Sequence, residues 1–73
     1  MQPKGKETMK NALREAREAS GKTQAEVARE TGVAEVMYQR YEYGWALPRA
    51  DKAIRIANAL GTTVERLFSP QEL

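Results

Sequence analysis

One stretch of the chain, from Thr23 to Gly44, constrains its fold more than any other. It contains two short segments with helical spacing of apolar residues, and these meet at Gly32, a residue free to adopt the left-handed conformation that most side chains resist. Thr23 and Glu26 have the spacing of a capping box, so the first helix is expected to begin there. Ala28 is small enough for a second helix to pass close over it. The stretch therefore predicts two helices joined by a tight glycine turn.

The second of these helices has an apolar face and a polar face. Val33, Tyr38 and Tyr41 recur at helical spacing, so we expect them to face the core, with the tyrosine hydroxyls reaching its rim. An aromatic surface for stacking single-stranded bases is the alternative for the two tyrosines, but such surfaces usually lie on open sheets or grooves. The opposite stripe of the helix carries Val36, Gln39, Arg40 and Tyr43.

The rest of the chain is also helical in pattern. Helices are predicted at about 8–20, 24–31, 34–43 and 50–60, and Thr63 can cap a short fifth helix that ends near Phe68. The fourth helix is placed by five apolar residues, Ala53, Ile54, Ile56, Ala57 and Leu60. Glycines lie just past four predicted helix ends, as C-terminal caps do: Gly21, Gly32, Gly44 and Gly61. The sequence predicts an all-α, five-helix domain at 8–68 with loose tails at 1–7 and 69–73.

Composition excludes several classes of protein. The chain of 73 residues contains no cysteine and no histidine, which removes disulfides, thiol catalysis and the usual zinc and haem ligands. No run of about 20 apolar residues could span a bilayer, and the N-terminus lacks the apolar stretch of a signal peptide. No paired carboxylates, nucleophile–base pair or phosphate loop can be assembled. We therefore expect a single-domain cytoplasmic protein that is not an enzyme, with no cofactor, metal, membrane segment or small-molecule ligand.

The spacing of five residues resembles that of the phage-repressor and Cro class of helix-turn-helix proteins, the XRE-like transcriptional regulators. These residues are Gln24, Ala28, Gly32, Tyr38 and Tyr41. The resemblance extends over about 12–68 and implies a lambda-repressor-like fold, with the helix-turn-helix at about 23–44. In such proteins the second helix of the motif lies in the DNA major groove.

Transferred position by position, the resemblance implies base contacts by Glu35, Val36, Gln39 and Arg40. The chemistry of these side chains fits that role: arginine can bind guanine bidentately, valine can contact a thymine methyl group, and glutamate can accept from a cytosine amine. The alternative is that all four are ordinary solvent-exposed positions. Ala34 departs from the family, since serine or threonine commonly caps the helix at that point.

A second set of residues is expected to contact phosphates. Gln24 resembles the family glutamine that binds a phosphate at the start of a helix, where backbone amides also favour anions. Trp45 could instead be a packing or dimer contact. The full set of predicted phosphate contacts is Lys22, Thr23, Gln24, Tyr43, Trp45 and Arg49.

The resemblance also implies a buried ion pair between Arg17 and Glu42. Arg17 lies at the edge of the apolar face of the first helix, and Glu42 lies next to Tyr41, between the core side and the flank of the third helix. The pair would join these two helices. The alternative is two independent surface charges, which contribute little to stability as a pair.

Together these features predict a sequence-specific regulator of transcription, by default a repressor, that binds double-stranded DNA as a homodimer. One recognition helix covers only half a site, and such proteins commonly bind two half-sites one helical turn apart. The alternative is a protein-interaction module on the same fold that has lost DNA binding. The acidic Glu35 and the apolar Val36 and Met37 are the residues that favour this alternative.

Overall fold

Five α-helices follow one another along residues 11–68, the part of the chain that the computed structural model describes. They are α1 (Leu13–Ala19), α2 (Gln24–Thr31), α3 (Glu35–Tyr43), α4 (Ala50–Ala59) and α5 (Val64–Phe68). No strand occurs among these residues, so the predicted all-α, five-helix fold is confirmed. The predicted bounds of α2 are reproduced, whereas α3 begins and α4 ends one residue inside the predicted limits. The predicted tails, 1–7 and 69–73, lie outside the described residues.

The start of α1 differs from its prediction. Residues 8–10 lie outside the described part of the chain, and Asn11 and Ala12 precede the helix instead of belonging to it. The Asn11 side chain accepts from the Leu13 amide at 2.9 Å and donates to the Tyr41 carbonyl at 2.9 Å. The Ala12 amide donates to the Leu67 carbonyl at 3.0 Å. These bonds to other helices, together with the local asparagine bond, explain why the helix does not extend through this segment.

Each helix contributes one large, fully buried side chain to a common core. These side chains are Leu13, Val27, Tyr38, Ile56 and Leu67. Smaller buried residues such as Ala28 and Ala57 fill the space between them. The core holds α2 against α3 and α4, and α1 against α3 and α5. Among the apolar residues that place α4, Ile54 is 51% exposed, because it lies beside the buried stripe of the helix and not on it.

The turn between α2 and α3 has the predicted geometry. Thr23 and Glu26 form the capping box, with the Thr23 hydroxyl accepting from the Glu26 amide at 3.0 Å and the Glu26 carboxylate accepting from the Thr23 amide at 2.8 Å. Gly32 has φ +73°, which ends α2 in the left-handed region. The Val33 amide donates back to the Ala28 carbonyl at 3.0 Å, which closes the turn. This local geometry sets the direction in which α3 leaves α2.

None of the described helices is both long and apolar enough to cross a membrane.

Candidate nucleic-acid interface

The outer stripe of α3, formed by Glu35, Val36, Gln39 and Arg40, faces the solvent. Val36 is 60% exposed, Glu35 and Arg40 are exposed as well, and Gln39 is half-buried. The guanidinium of Arg40 has no carboxylate partner among residues 11–68. The residues predicted to contact bases therefore lie together on one accessible surface, with an arginine available to bind an acceptor.

The inner flank of α3 is fixed by an ion pair to α1. Arg17 Nε lies 2.5 Å from Glu42 Oε2, and Arg17 Nη2 donates to Glu42 Oε1 at 3.3 Å. The side chains of Arg17 and Glu42 are 13% and 2% exposed. Arg17 Nη1 also donates to the carbonyl of Lys22 at 3.0 Å. The ion pair expected from the sequence is thus formed, it is bidentate, and it ties α3 to both α1 and the segment before α2.

Both members of the pair are held in their charged forms. Burial by itself raises the pKa of Glu42, but hydrogen bonds from Arg17 and Gln24, the nearby Tyr38 hydroxyl and the charge of Arg17 together lower it below its ordinary value. The hydrogen bond to Glu42 raises the pKa of Arg17 against the opposing effect of burial. At neutral pH Glu42 is therefore a carboxylate, which can accept hydrogen bonds but cannot donate them.

The Tyr38 hydroxyl does not reach the rim of the core as expected. The whole side chain is inaccessible to solvent, and the hydroxyl has no partner within hydrogen-bond geometry among the described residues. It lies close enough to Glu42 to interact with its charge. Burial first, and then Glu42, raise the pKa of Tyr38, so the hydroxyl stays protonated beside the carboxylate.

Gln24 connects the buried ion pair to the outer stripe. Its Nε2 donates to Glu42 Oε1 at 3.0 Å, and its Oε1 accepts from Gln39 Nε2 at 3.3 Å. Hydrogen bonds therefore run in series from Arg17 through Glu42 and Gln24 to Gln39. From the sequence, Gln24 was expected to make only a phosphate contact. Its partners Gln39 and Glu42 lie 15 and 18 positions away along the chain, and no local spacing pattern predicts such bonds.

Comparison with known proteins supports the predicted class. The sequence model described as helix-turn-helix matches residues 13–67. The chain belongs to the helix-turn-helix family. Over 59 residues it is 37% identical to the cryptic phage CTXphi transcriptional repressor RstR of Vibrio cholerae serotype O1, and the aligned segment covers 81% of this chain and 53% of that protein. The chain thus spans about half the length of this curated relative.

Within this helix-turn-helix domain, Lys22 has a structural position. Its Nζ donates to Glu30 Oε1 and to the Ala59 carbonyl, each at 2.9 Å. The ammonium group thereby joins α2 to the last residue of α4. Because both contacts hold it within the domain, Lys22 is the least favourably placed of the predicted phosphate contacts.

The other predicted phosphate contacts lie near the ends of helices. Thr23 is exposed, although its hydroxyl oxygen already caps α2, and the exposed Arg49 directly precedes α4. Tyr43 and Trp45 are 54% and 52% exposed, and their ring centroids lie 4.9 Å apart. Trp45 therefore packs on a neighbouring ring at the surface and does not anchor in the core. These positions suit contact with a backbone that passes beside α3.

Proposed function

We propose that this protein is a transcriptional repressor that binds double-stranded DNA with α3 in the major groove. The observation that carries the proposal is the contrast across α3: a buried ion pair fixes its inner flank, while Arg40 on the outer stripe has no carboxylate partner among the described residues. A fixed helix with an accessible arginine is suited to direct readout of bases, since arginine binds guanine O6 and N7 bidentately.

The remaining side chains of the outer stripe extend this readout. Val36 supplies an apolar contact for a thymine methyl group, and Glu35 can accept from a cytosine amine. Gln39 has an amide with one oxygen and one nitrogen, so it can in principle accept or donate. We expect each of these contacts to select at one base pair, because contacts to base edges carry sequence information.

Phosphate contacts would position the domain on the duplex. The N-terminus of α2, with Thr23 and Gln24, offers backbone amides and polar side chains, and Arg49 offers a charge at the start of α4. Tyr43 and Trp45 add polar groups on aromatic rings. Lys22 ranks last in this set, because its charge is paired with Glu30 and its ammonium group also donates to the Ala59 carbonyl.

The proposed active form is a homodimer, and the proposed role is repression, not catalysis. A single α3 covers about half of a site, so two domains would contact half-sites about 34 Å apart. The matched relative is named a transcriptional repressor, which favours the same role here. The named residues bind and position, and none of them forms a nucleophile–base pair.

A protein-interaction module is the second candidate function. It is favoured by the apolar side chains at the surface around α3, since Val36, Tyr43 and Trp45 are each more than half exposed. Such side chains are common at the centres of protein interfaces. In this alternative the same surface would bind a protein and would show no preference among DNA sequences.

Selection of bound duplexes from a random pool, followed by binding at increasing salt, separates the two functions. A DNA-binding repressor should enrich a palindromic site, and its affinity should fall steeply with salt because counterions are released from the duplex. Arg40→Ala is the matched control for both measurements, because it should keep the fold while it removes one proposed base contact. No enriched sequence and no duplex binding even at low salt would favour the interaction module.

A further inference from the structure

The amide of Gln24 lies between a buried carboxylate and a side chain on the proposed DNA surface. At one end its Nε2 donates to Glu42 Oε1 at 3.0 Å, and at the other its Oε1 accepts from Gln39 Nε2 at 3.3 Å. One amide thus bonds through both of its polar atoms. The two bonds link the inner and the outer flank of α3 through the first residue of α2.

The direction of both bonds follows from the charge of Glu42. Its side chain is 2% exposed and paired with Arg17, and its pKa lies below the ordinary value, so it is ionised at neutral pH. An ionised carboxylate can only accept, which forces Gln24 to face it with nitrogen and to face Gln39 with oxygen. Only the nitrogen of Gln39 can then meet that oxygen. No donor among the described residues reaches the Oε1 of Gln39, which is left for an outside partner.

We infer that Glu42, acting through Gln24, fixes the amide of Gln39 so that its oxygen is presented to DNA and selects a base that carries an amino group. Adenine N6 and cytosine N4 are the donors in the major groove, whereas guanine and thymine present acceptors at the corresponding positions. A freely rotating glutamine would accept either kind of base. Glu42 is then a positioning residue that sets specificity without touching a base. This inference rests on the proposed function and deepens it.

The test uses base analogues at the position that Gln39 contacts. That position is identified in the selected duplex as the base pair whose preference is lost in Gln39→Ala. There, adenine is replaced by purine, which lacks the 6-amino group, or cytosine by 2-pyrimidinone, which lacks the 4-amino group. The wild-type protein should lose affinity about threefold to tenfold, the range for one net hydrogen bond. Gln39→Ala should bind the two duplexes almost equally.

A second variant removes the amide of Gln24, through which Glu42 is proposed to act on Gln39. Gln24→Met keeps the length of the side chain but removes its amide, so Gln39 becomes free to rotate. Its affinity for all duplexes is expected to fall, because Gln24 also lies at a proposed phosphate position. The informative quantity is the ratio of affinities for duplexes with and without the amino group, which should approach one. Circular dichroism melting checks that this variant is folded. A merely structural role for Gln24 would lower the affinity for all duplexes alike and leave the ratio unchanged, whereas a positioning role changes the ratio.

The outcomes separate this inference from the proposed function. If the wild-type protein prefers guanine or thymine at the Gln39 position, or if Gln24→Met keeps the full ratio, the orientation is not set through Gln24 and the inference is wrong. If duplexes bind specifically but Gln39→Ala changes no preference, the inference fails while the proposed function stands. If no duplex binds at low salt, both fail.

Discussion

The inner and outer faces of α3 have opposite environments although they belong to the same nine residues. On the inner face Tyr38 and Tyr41 are buried, and the side chain of Glu42 is 2% exposed and paired. On the outer face Val36 is 60% exposed, and Arg40 has no carboxylate partner among residues 11–68. The difference assigns stability to the inner face, and recognition is the role that we propose for the outer face. Substitutions inside should change folding, and substitutions outside should change binding.

Gln39 is the residue that departs from this division. It lies on the outer stripe, yet it is half-buried and bonded to Gln24, which in turn is bonded to the inner Glu42. The two faces are therefore separate for most side chains and coupled at one of them. Experiments that perturb one face at a time can show whether the coupling is confined to Gln39.

The largest effect is expected from removing one member of the buried ion pair. Arg17→Met should lower the free energy of unfolding by about 3–5 kcal/mol, because Glu42 would remain buried without its charge partner. Replacing both residues with methionine should cost much less, since no charge is then stranded. Denaturant unfolding of the two single variants and the double variant gives the interaction energy. If the losses of the two single variants simply add in the double variant, Arg17 and Glu42 do not interact and the ion pair does not contribute to stability.

The next largest loss of stability is expected at Gly32, in the turn that sets the direction of α3. Gly32→Val should destabilise the domain by about 1–3 kcal/mol, because a β-branched residue is strained at positive φ. A β-carbon here would meet only Arg55 Nη1 at 3.7 Å, an ordinary contact, so the loss would come from the backbone. Gly32→Asn is the matched control, because asparagine tolerates the left-handed region. Equal thermal melts for the glycine and valine proteins would show that the turn does not require this conformation.

A change confined to the outer face should leave folding intact. Arg40→Ala is expected to weaken binding to the best site by about 1–3 kcal/mol and to relax preference at one base pair. Its free energy of unfolding should stay within about 0.5 kcal/mol of wild type, since the side chain is exposed. Arg49→Ala, at a proposed phosphate contact, should weaken binding to all sequences alike. Identical patterns for the two variants in a panel of single-base substitutions would make Arg40 a phosphate contact.

Acid should weaken the inner face without any substitution. The pKa of Glu42 in the folded protein lies below its ordinary value, so the folded state stabilises the ionised carboxylate more than the unfolded state does. Its contribution is complete above the unfolded pKa of about 4.3 and is lost as the pH falls through the folded pKa. The difference in unfolding free energy between wild type and Glu42→Gln should therefore be constant from neutrality down to about pH 5 and shrink at lower pH. A difference that does not shrink below about pH 4 would show that the charge of Glu42 does not contribute.

Apart from the Arg17–Glu42 pair, which the family resemblance implied, the parts of this structure that the sequence predicted are those with local causes. The bounds of α2 follow from the Thr23 capping box and from Gly32, which lie next to the helix they delimit. The burial of Tyr38 follows from helical periodicity. These features need only the residues within a few positions of each other, so a single sequence is enough to find them.

The parts that the sequence missed depend on partners far along the chain. Asn11 stays outside α1 partly because its side chain donates to Tyr41, and Lys22 is engaged by the carbonyl of Ala59, 37 positions away. The bonds of Gln24 likewise join two different helices. No periodicity or capping rule encodes such contacts, because they depend on how the helices pack. The predicted base-contact set can be located on α3, but its contacts with DNA stay a prediction.

The smallest effect is expected from adding a side-chain cap at the start of α3, which lacks the cap that α2 has. Thr23 caps α2 through its hydroxyl, whereas Ala34 precedes α3 with no side-chain cap. The backbone of Ala34, at φ −61° and ψ 139°, is extended as a capping residue requires, and the residue is exposed. Ala34→Ser should therefore stabilise the domain by about 1 kcal/mol, which raises the melting temperature of a domain this small by roughly 4–8 °C. Thr23→Ala should produce a loss of similar size at α2. Because the new hydroxyl binds only the first turn of α3, the base preference should not change. A higher melting temperature with an altered base preference would show that the start of α3 contributes to recognition as well as to stability.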